Sequence, residues 1–478
     1  MSRERFDVVV LGGGTAGLVT ASGCARLGRR VALVEKEALG GDCLWTGCVP
    51  TKALVASARL AHAMRHAERW GLSAVEPAIE ARSVMEAMRE TQRITQKHDD
   101  PEKFRRLGIE VIFGEGRLVS PREVAVGARV LAAKDVVLAT GSRTRIPEVE
   151  GLEAAGFLDH VSFLAQDSFP RSVIILGGGA IATEFAQLLC RFGSDVTVVE
   201  RGDGILARED DEVRDAVLRR LRADGVDVRL RTTAVRARAE GGRKLVTVRD
   251  ASGRTSELAA AEIFVATGRR GNVESLGLDA AGVRVEGGFV VADRWLRTTA
   301  PRVWACGDVH GDLLFTHVAA YEAVALVRNL LFPGRRAVDY SNVPWAVYVD
   351  PELARVGMTE RQAVERWGES KVRAWRVEMS EVDRAVTDRA TEGFVKIVTS
   401  ARGRILGAHA FCAGASTLIA ELVLAKREGV KIGGLATLVS PYPSLADAVA
   451  KAGAQYYGAL SEGILGRLAR RVAAWTQR

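Results

Sequence analysis

The feature that most constrains this chain is a unit that occurs twice. FDVVVLGGGTAGLVTASGCARLGRRVALVEK (6–36) and RSVIILGGGAIATEFAQLLCRFGSDVTVVER (171–201) each run from an apolar strand through a glycine-rich turn into a helix and a second apolar strand. Each closes on an acid, and the same interval separates Gly12 from Glu35 and Gly177 from Glu200. The first glycine of each turn, Gly12 or Gly177, permits a tight bend. The second, Gly14 or Gly179, lets backbone approach a pyrophosphate, and the third position, Gly17 or Ala182, allows close helix–strand packing. The helix N-terminus then faces the phosphates, and the terminal acid accepts from a ribose hydroxyl. A chain that repeats this unit is expected to hold two dinucleotides, on α/β domains of parallel sheet.

Downstream of the first unit stands GGDCLWTGCVPTKAL (40–54). Cys43 and Cys48, with four residues between them, can close a small reducible disulfide. From Thr51 to Trp70 apolar residues recur at helical spacing, and Gly71 ends the run. A thiol at a helix N-terminus sits in a positive potential that favours the thiolate. Pro50 is tolerated there because its missing N–H had no partner, and Lys52, one turn along, adds a cation. The other cysteines, Cys24, Cys190, Cys306 and Cys412, are scattered singly through apolar stretches and read as small buried hydrophobes. That usage fits a reducing cytoplasm in which one disulfide forms transiently. The start MSRERFDVVVLGGG goes almost straight into a strand, so no signal peptide is expected, and no stretch approaches the ~20 apolar residues that cross a bilayer.

Lys and Arg number 67 against 59 Asp and Glu, a formal net charge of +8. The charges are interleaved, as in RRLRADGVDVRLR (219–231), which argues for a solvated surface and against a nucleic-acid face. The tail GILGRLARRVAAWTQR (463–478) combines an apolar stripe with Arg467, Arg470 and Arg471. It reads as a docked terminal helix, with weak membrane-surface contact as the alternative.

GGDCLWTGCVPTK resembles the redox-active motif of the pyridine nucleotide–disulfide oxidoreductases, which include lipoamide dehydrogenase, glutathione reductase and mercuric reductase. The resemblance implies an FAD-binding domain over 1–155 and 276–340 and an inserted NAD(P)-binding domain over 156–275. It further implies a C-terminal α+β interface domain over 341–478 that joins two subunits into a homodimer. FAD then belongs to the first dinucleotide unit and NAD(P)H to the second. Cys43 and Cys48 become the redox-active disulfide: Cys43 exchanges with substrate, Cys48 contacts the flavin, and Lys52 is the cation beside it. Glu184 matches the family glutamate that pairs with this lysine. VWACGDVHGDLLFTHVA (303–319) is similar to the family's second flavin motif, with Asp308 at the ribityl hydroxyls and Thr316 and His317 where the next helix meets the flavin. Gly116 matches a glycine beside the adenine. DVVLATGSRTRIP (135–147) and IFVATGRR (263–270) are near-twin turns that place Gly141 by FAD and Gly268 by NAD(P).

Departures from the family bear on substrate. Lipoamide dehydrogenase and glutathione reductase carry a proton-transferring histidine backed by a glutamate near the C-terminus, a task suited to imidazole. The matching segment here, SPYPSLADA (440–448), has Tyr442 and Asp447 in those places, and no histidine follows His409. Mercuric reductases share the tyrosine but also carry a C-terminal cysteine pair, which this sequence lacks after Cys412. Tyr442 is therefore read either as part of an acceptor pocket or as packing at the dimer interface. Glu200 favours NADH by repelling a 2′-phosphate, whereas Ala182 and Arg201 accompany NADPH; the balance favours NADH. Ala180 replaces the tyrosine that gates the nicotinamide pocket in glutathione reductase. The expected activity is a mercuric reductase-like transfer from NAD(P)H through FAD and the dithiol to a metal ion, disulfide or quinone. A dihydrolipoyl dehydrogenase and a flavin-bearing redox sensor without turnover are the alternatives.

Overall fold

The strand Arg3–Leu11 organises the N-terminal part of the computed structural model, which describes residues 3–462. It pairs in parallel with Val31–Glu35 on one side and Arg129–Leu138 on the other, so that Val10 faces both Leu33 and Val137. Ile109–Phe113 extends the parallel sheet beyond Val31–Glu35, and Val303–Ala305 pairs in parallel with the end of Arg129–Leu138. The hairpin Gly116–Ser120 and Glu123–Val126 adds two antiparallel strands. Continuous apolar runs such as VVVL and VALV suit this sheet because parallel strands are covered on both faces. The helices Thr15–Arg26 and Thr316–Leu331 lie side by side. Gly23 permits their approach, since a Cβ there would come within 2.8 Å of Val327 Cγ2.

The chain divides into two compact units, one of residues up to 58, 78–177 and 233–338, the other of 59–77, 178–232 and 339 onward. In the first unit, Ser172–Leu176 pairs in parallel with Glu262–Val265, and Thr233–Glu240, Arg243–Arg249 and Thr255–Ala260 form an antiparallel meander. In the second, Asp195–Val199 pairs in parallel with Asp227–Arg229 beside the helices Ala180–Arg191 and Asp211–Ala223. The second unit also holds a five-stranded antiparallel sheet, in the order Pro344–Val347, Glu352–Gly357, Ile405–Cys412, Phe394–Ser400 and Val372–Glu378. Leu418, Leu422, Val449 and Ala452, from the helices Ala415–Arg427 and Asp447–Glu462, close its core over Val395, Ile397, Ala408 and Ala410.

The architecture is the expected one: Rossmann-like α/β halves and a C-terminal α+β region. The helix expected over Thr51–Trp70 begins earlier, at Cys48, and stops at Arg65. His66 leaves helical geometry (φ −121°, ψ 26°), and a tighter 3₁₀ turn, Ala67–Trp70, runs to Gly71 at φ 76°. Among the described residues no helix is long and apolar enough to cross a membrane. The tail 463–478, with its membrane-contact reading, lies outside the described residues.

Candidate active site

The first glycine turn admits nothing larger than glycine at its first and third glycines. Gly12 is at φ 108°, and a Cβ there would fall 2.2 Å from the Ala139 carbonyl oxygen; one on Gly17 would fall 1.8 Å from that of Gly12. Helix Thr15–Arg26 follows with Gly14 as N-cap, no side-chain cap and no acid in its first turn. Its leading N–H groups and positive dipole end are therefore left for an anion. Glu35 accepts from the N–H groups of Gly13 (2.6 Å) and Glu37 (2.9 Å), which fixes the carboxylate and leaves lone pairs for a ribose hydroxyl. Gly141, at φ 71°, faces open space, and Gly116 packs against Leu11 and Val34. This cradle fits the pyrophosphate and ribose of a dinucleotide.

The repeat behaves alike. A Cβ on Gly177 (φ 110°) would lie 2.5 Å from the Ala266 carbonyl oxygen, and Gly268 (φ 117°) borders open space. Helix Ala180–Arg191 has Gly179 as N-cap, again without a side-chain cap or an early acid, and Ala182 is fully buried. Glu200 accepts from the Gly202 N–H at 2.6 Å, and Arg201 is exposed. Buried Glu184, on the same helix, accepts from the Tyr348 N–H at 2.8 Å.

Cys43 lies in the short helix Gly41–Trp45, and Cys48 opens the helix Cys48–Arg65. Both are thiols in the structure and hydrogen-bond each other. Cys48 keeps an exposed edge, with its Sγ 3.2 Å from Thr316 Oγ1. The Cys43 hydrogen bond lowers the Cys48 thiol; partial desolvation opposes it, and the Thr316 hydroxyl and Lys52 charge help bring it to about 6. Cys43 moves the other way, pushed up by the Cys48 hydrogen bond, burial and the Cys48 charge. The pair thus holds one negative charge near neutral pH, on Cys48. His317 is exposed and stacks on Phe315, with ring centroids 5.4 Å apart.

A polar network that the sequence did not disclose adjoins the cysteines. Asp42 Oδ2 accepts from Arg269 Nη2 at 2.7 Å, and Oδ1 accepts from the Thr46 hydroxyl and lies 3.3 Å from His160 Nε2. Arg269 Nε donates to Ser142 Oγ (2.7 Å), which donates in turn to Asp308 Oδ2 (2.7 Å). Burial pushes the Asp308 carboxyl up against the pull of Arg269 and Ser142. The available signal was the twin ATG turns: the strands that follow them, Ser142–Thr144 and Arg269–Gly271, pair antiparallel and so deliver Arg269 to Ser142.

Tyr442 is 75% exposed and its hydroxyl donates to Asp383, a partner without a sequence signal. That hydrogen bond and the Asp383 charge raise the phenol above its ordinary value. Asp447, at the start of Asp447–Glu462, pairs with Lys451 at 3.6 Å.

The family profile described as pyridine nucleotide-disulphide oxidoreductase matches residues 6–323, and that of the family's dimerisation domain matches 343–453. The chain belongs to this family. It is an oxidoreductase of the pyridine nucleotide–disulphide class, whose members use FAD and NAD(P)H, and it carries the class's dimerisation domain. The dihydrolipoyl dehydrogenase of Chlorobaculum tepidum is 34% identical over 462 residues, covering 94% of this chain and 96% of that protein. The mercuric reductase of Streptomyces lividans is 32% identical over 455 residues, covering 93% and 94%. Among solved structures, the Cu(II) complex of RclA, an HOCl-induced flavoprotein disulfide reductase from Escherichia coli, superposes with a TM-score of 0.83 at 28% identity, covering 95% of this chain and 99% of that one.

Proposed function

We propose that this oxidoreductase passes electrons from NAD(P)H to a metal-ion acceptor through a Cys43–Cys48 disulfide. The carrying observation is the placement of the two thiols, Cys43 in a short helix hydrogen-bonded to Cys48 at the start of the next, with Cys48 Sγ 3.2 Å from the Thr316 hydroxyl. Gly12, Gly14, Gly17, Glu35, Gly116, Gly141, Asp308, Thr316 and His317 hold FAD in this reading. Gly177, Gly179, Ala182, Glu200 and Gly268 hold the nicotinamide cofactor, with NADH favoured by Glu200. Bound FAD supplies the two-electron connection between the nicotinamide and the disulfide. When the disulfide opens, Cys48 keeps the negative charge and Cys43 keeps the proton and meets the acceptor. Lys52 holds positive charge near Cys48.

Tyr442 bears on the acceptor. A phenol raised above its reference pKa of ~10 donates a hydrogen bond at neutral pH and does not take up a proton as a histidine does. An acceptor that needs no proton shuttle is therefore favoured over a dithiol–disulfide exchange partner. The likeness to a mercuric reductase and to the Cu(II) complex of RclA agrees with this choice, and the likeness to dihydrolipoyl dehydrogenases agrees with the alternative. In the homodimer, Tyr442 and Asp447 of one subunit complete the acceptor pocket of the other.

The test compares NADH-dependent turnover of Hg(II), Cu(II), lipoamide, glutathione disulfide and a quinone by the FAD-loaded protein. Metal-ion turnover should exceed disulfide turnover. Tyr442→His should raise disulfide turnover at least tenfold, within the ~10²–10⁴ range of general acid–base catalysis. Rapid lipoamide turnover by the unaltered protein would favour a dihydrolipoyl dehydrogenase instead.

A further inference from the structure

The network around Asp42 joins the cysteine turn to three distant segments. Asp42 closes the turn between the cysteines: its carbonyl accepts from the N–H groups of Thr46 (2.9 Å) and Gly47 (2.5 Å), and its carboxylate from the Thr46 hydroxyl. The same carboxylate is held from outside by Arg269, whose side chain is 11% exposed, and by His160, at 5%. His160 Nδ1 lies 3.3 Å from the Thr144 hydroxyl, and its Nε2 lies 3.3 Å from both Asp42 Oδ1 and Arg269 Nη1, which ties the ring to both members of the pair. Arg269 in turn is anchored by the Ser142 hydroxyl and carbonyl at 2.7 and 2.9 Å.

Electrostatics gives this clamp a consequence. Asp42 immediately precedes Cys43, and its carbonyl closes the turn onto Gly47, next to Cys48, so its carboxylate charge acts on a pair whose Cys48 sulfur lies 3.2 Å from the Thr316 hydroxyl. The Cys43 thiol, the Thr316 hydroxyl and the Lys52 charge favour a thiolate on Cys48, whereas the Asp42 charge opposes ionisation of both Cys48 and Cys43. Arg269, paired to Asp42 at 2.7 Å, limits that opposition. A negative charge near the sulfurs disfavours the reduced pair, which carries thiolate, relative to the uncharged disulfide.

We propose that Asp42 and Arg269 are positioning residues that set the reducing power of the cysteine pair, Asp42 raising it and Arg269 tempering it. The inference rests on the Cys43–Cys48 disulfide reading. The relevant equilibrium is exchange with glutathione: the Cys43–Cys48 S–S bond breaks, one S–S bond forms between two glutathiones, and two electrons pass to the protein. Of the two protons released by the glutathiones, one stays on Cys43 and the other goes to solvent as Cys48 holds its charge.

The experiment equilibrates the FAD-loaded, full-length protein anaerobically in glutathione buffers of graded ratio, quenches with acid and counts free Cys43 and Cys48 by mass spectrometry. Asp42→Asn should shift the equilibrium toward the dithiol by about tenfold, or about 30 mV, and move the pH midpoint of Cys48 alkylation down. Arg269→Gln, which leaves Asp42 uncompensated, should shift both readouts the opposite way. Asp42→Glu should stay near the unaltered protein, and the double variant Asp42→Asn/Arg269→Gln should fall between the single variants. Shifts of the same sign in both single variants, or none, would overturn the proposal. Should Arg269→Gln fail to fold, Arg269→Met, which also removes the charge, provides the same contrast of sign with Asp42→Asn. If oxidised protein shows no Cys43–Cys48 disulfide by mass, the disulfide reading fails, while the alkylation midpoints of Cys48 still decide whether the clamp acts on its charge.

Discussion

The hydroxyl of Thr316 offers a direct way to perturb the thiolate without touching either cysteine. It lies 3.2 Å from Cys48 Sγ, and Thr316→Val removes the donor while keeping shape. A hydrogen bond to a charged group contributes about 1.5–3 kcal/mol, and the exposed edge of Cys48 calls for the lower end. At 1.36 kcal/mol per pK unit, about 1.5 kcal/mol moves Cys48 up by about one unit, from about 6 to about 7. At pH 6.5 the thiolate fraction should then drop from about three-quarters to about one-quarter, and iodoacetamide alkylation of Cys48 should slow about threefold. Above pH 9 both proteins are fully ionised at Cys48 and should react alike, which serves as the internal control. Thr316→Ser should keep the original midpoint. An unmoved midpoint in Thr316→Val, or one moved downward, would refute the assignment of Thr316 as a thiolate donor.

Glu200→Gln should raise the ratio of kcat/KM for NADPH over NADH about tenfold, or roughly 1.4 kcal/mol, by removing repulsion of the 2′-phosphate; a flat ratio would point to Arg201 as the residue that reads the phosphate. Asp42 predicts an acid limb in stability. Burial opposes its ionisation, but the His160 hydrogen bond and the Arg269 charge outweigh this and hold the carboxyl well below the usual range. Its stabilising contribution is therefore present above the unfolded value of about 3.9 and lost as pH falls through the folded one. Between pH 5 and 2 the Tm of the unaltered protein should fall more steeply than that of Asp42→Asn, and parallel curves would remove the network from the stability account.

The dinucleotide loops were legible because the requirement is steric. No side chain larger than hydrogen fits at Gly12, Gly17 or Gly177, so their spacing in the sequence reports the turn itself. The cysteine turn was legible for a related reason: a thiol placed at a helix start carries its electrostatics in the local sequence, and the helix does begin at Cys48. What stayed hidden depends on distant partners. Nothing near Asp42 announces that Arg269 and His160 converge on it, since the convergence is made by strand pairing between Ser142–Thr144 and Arg269–Gly271. Asp383 was equally silent, sitting in an exposed helix whose only signal is the tyrosine it meets. The early helix end at Arg65 was missed because the apolar spacing continues through Ala67–Trp70 while the backbone tightens into a 3₁₀ turn.

If electrons from NAD(P)H reach the Cys43–Cys48 pair, counting free thiols against added NADH reads the transfer at the sulfurs themselves. Oxidised, FAD-loaded protein is titrated anaerobically with NADH, quenched with iodoacetamide and mapped by mass spectrometry. Cys43 and Cys48 should become labelled together, in proportion to NADH up to one equivalent per subunit, while Cys24, Cys306 and Cys412 stay unlabelled in their buried positions. Oxidation of NADH without any labelling of Cys43 and Cys48 would contradict this transfer.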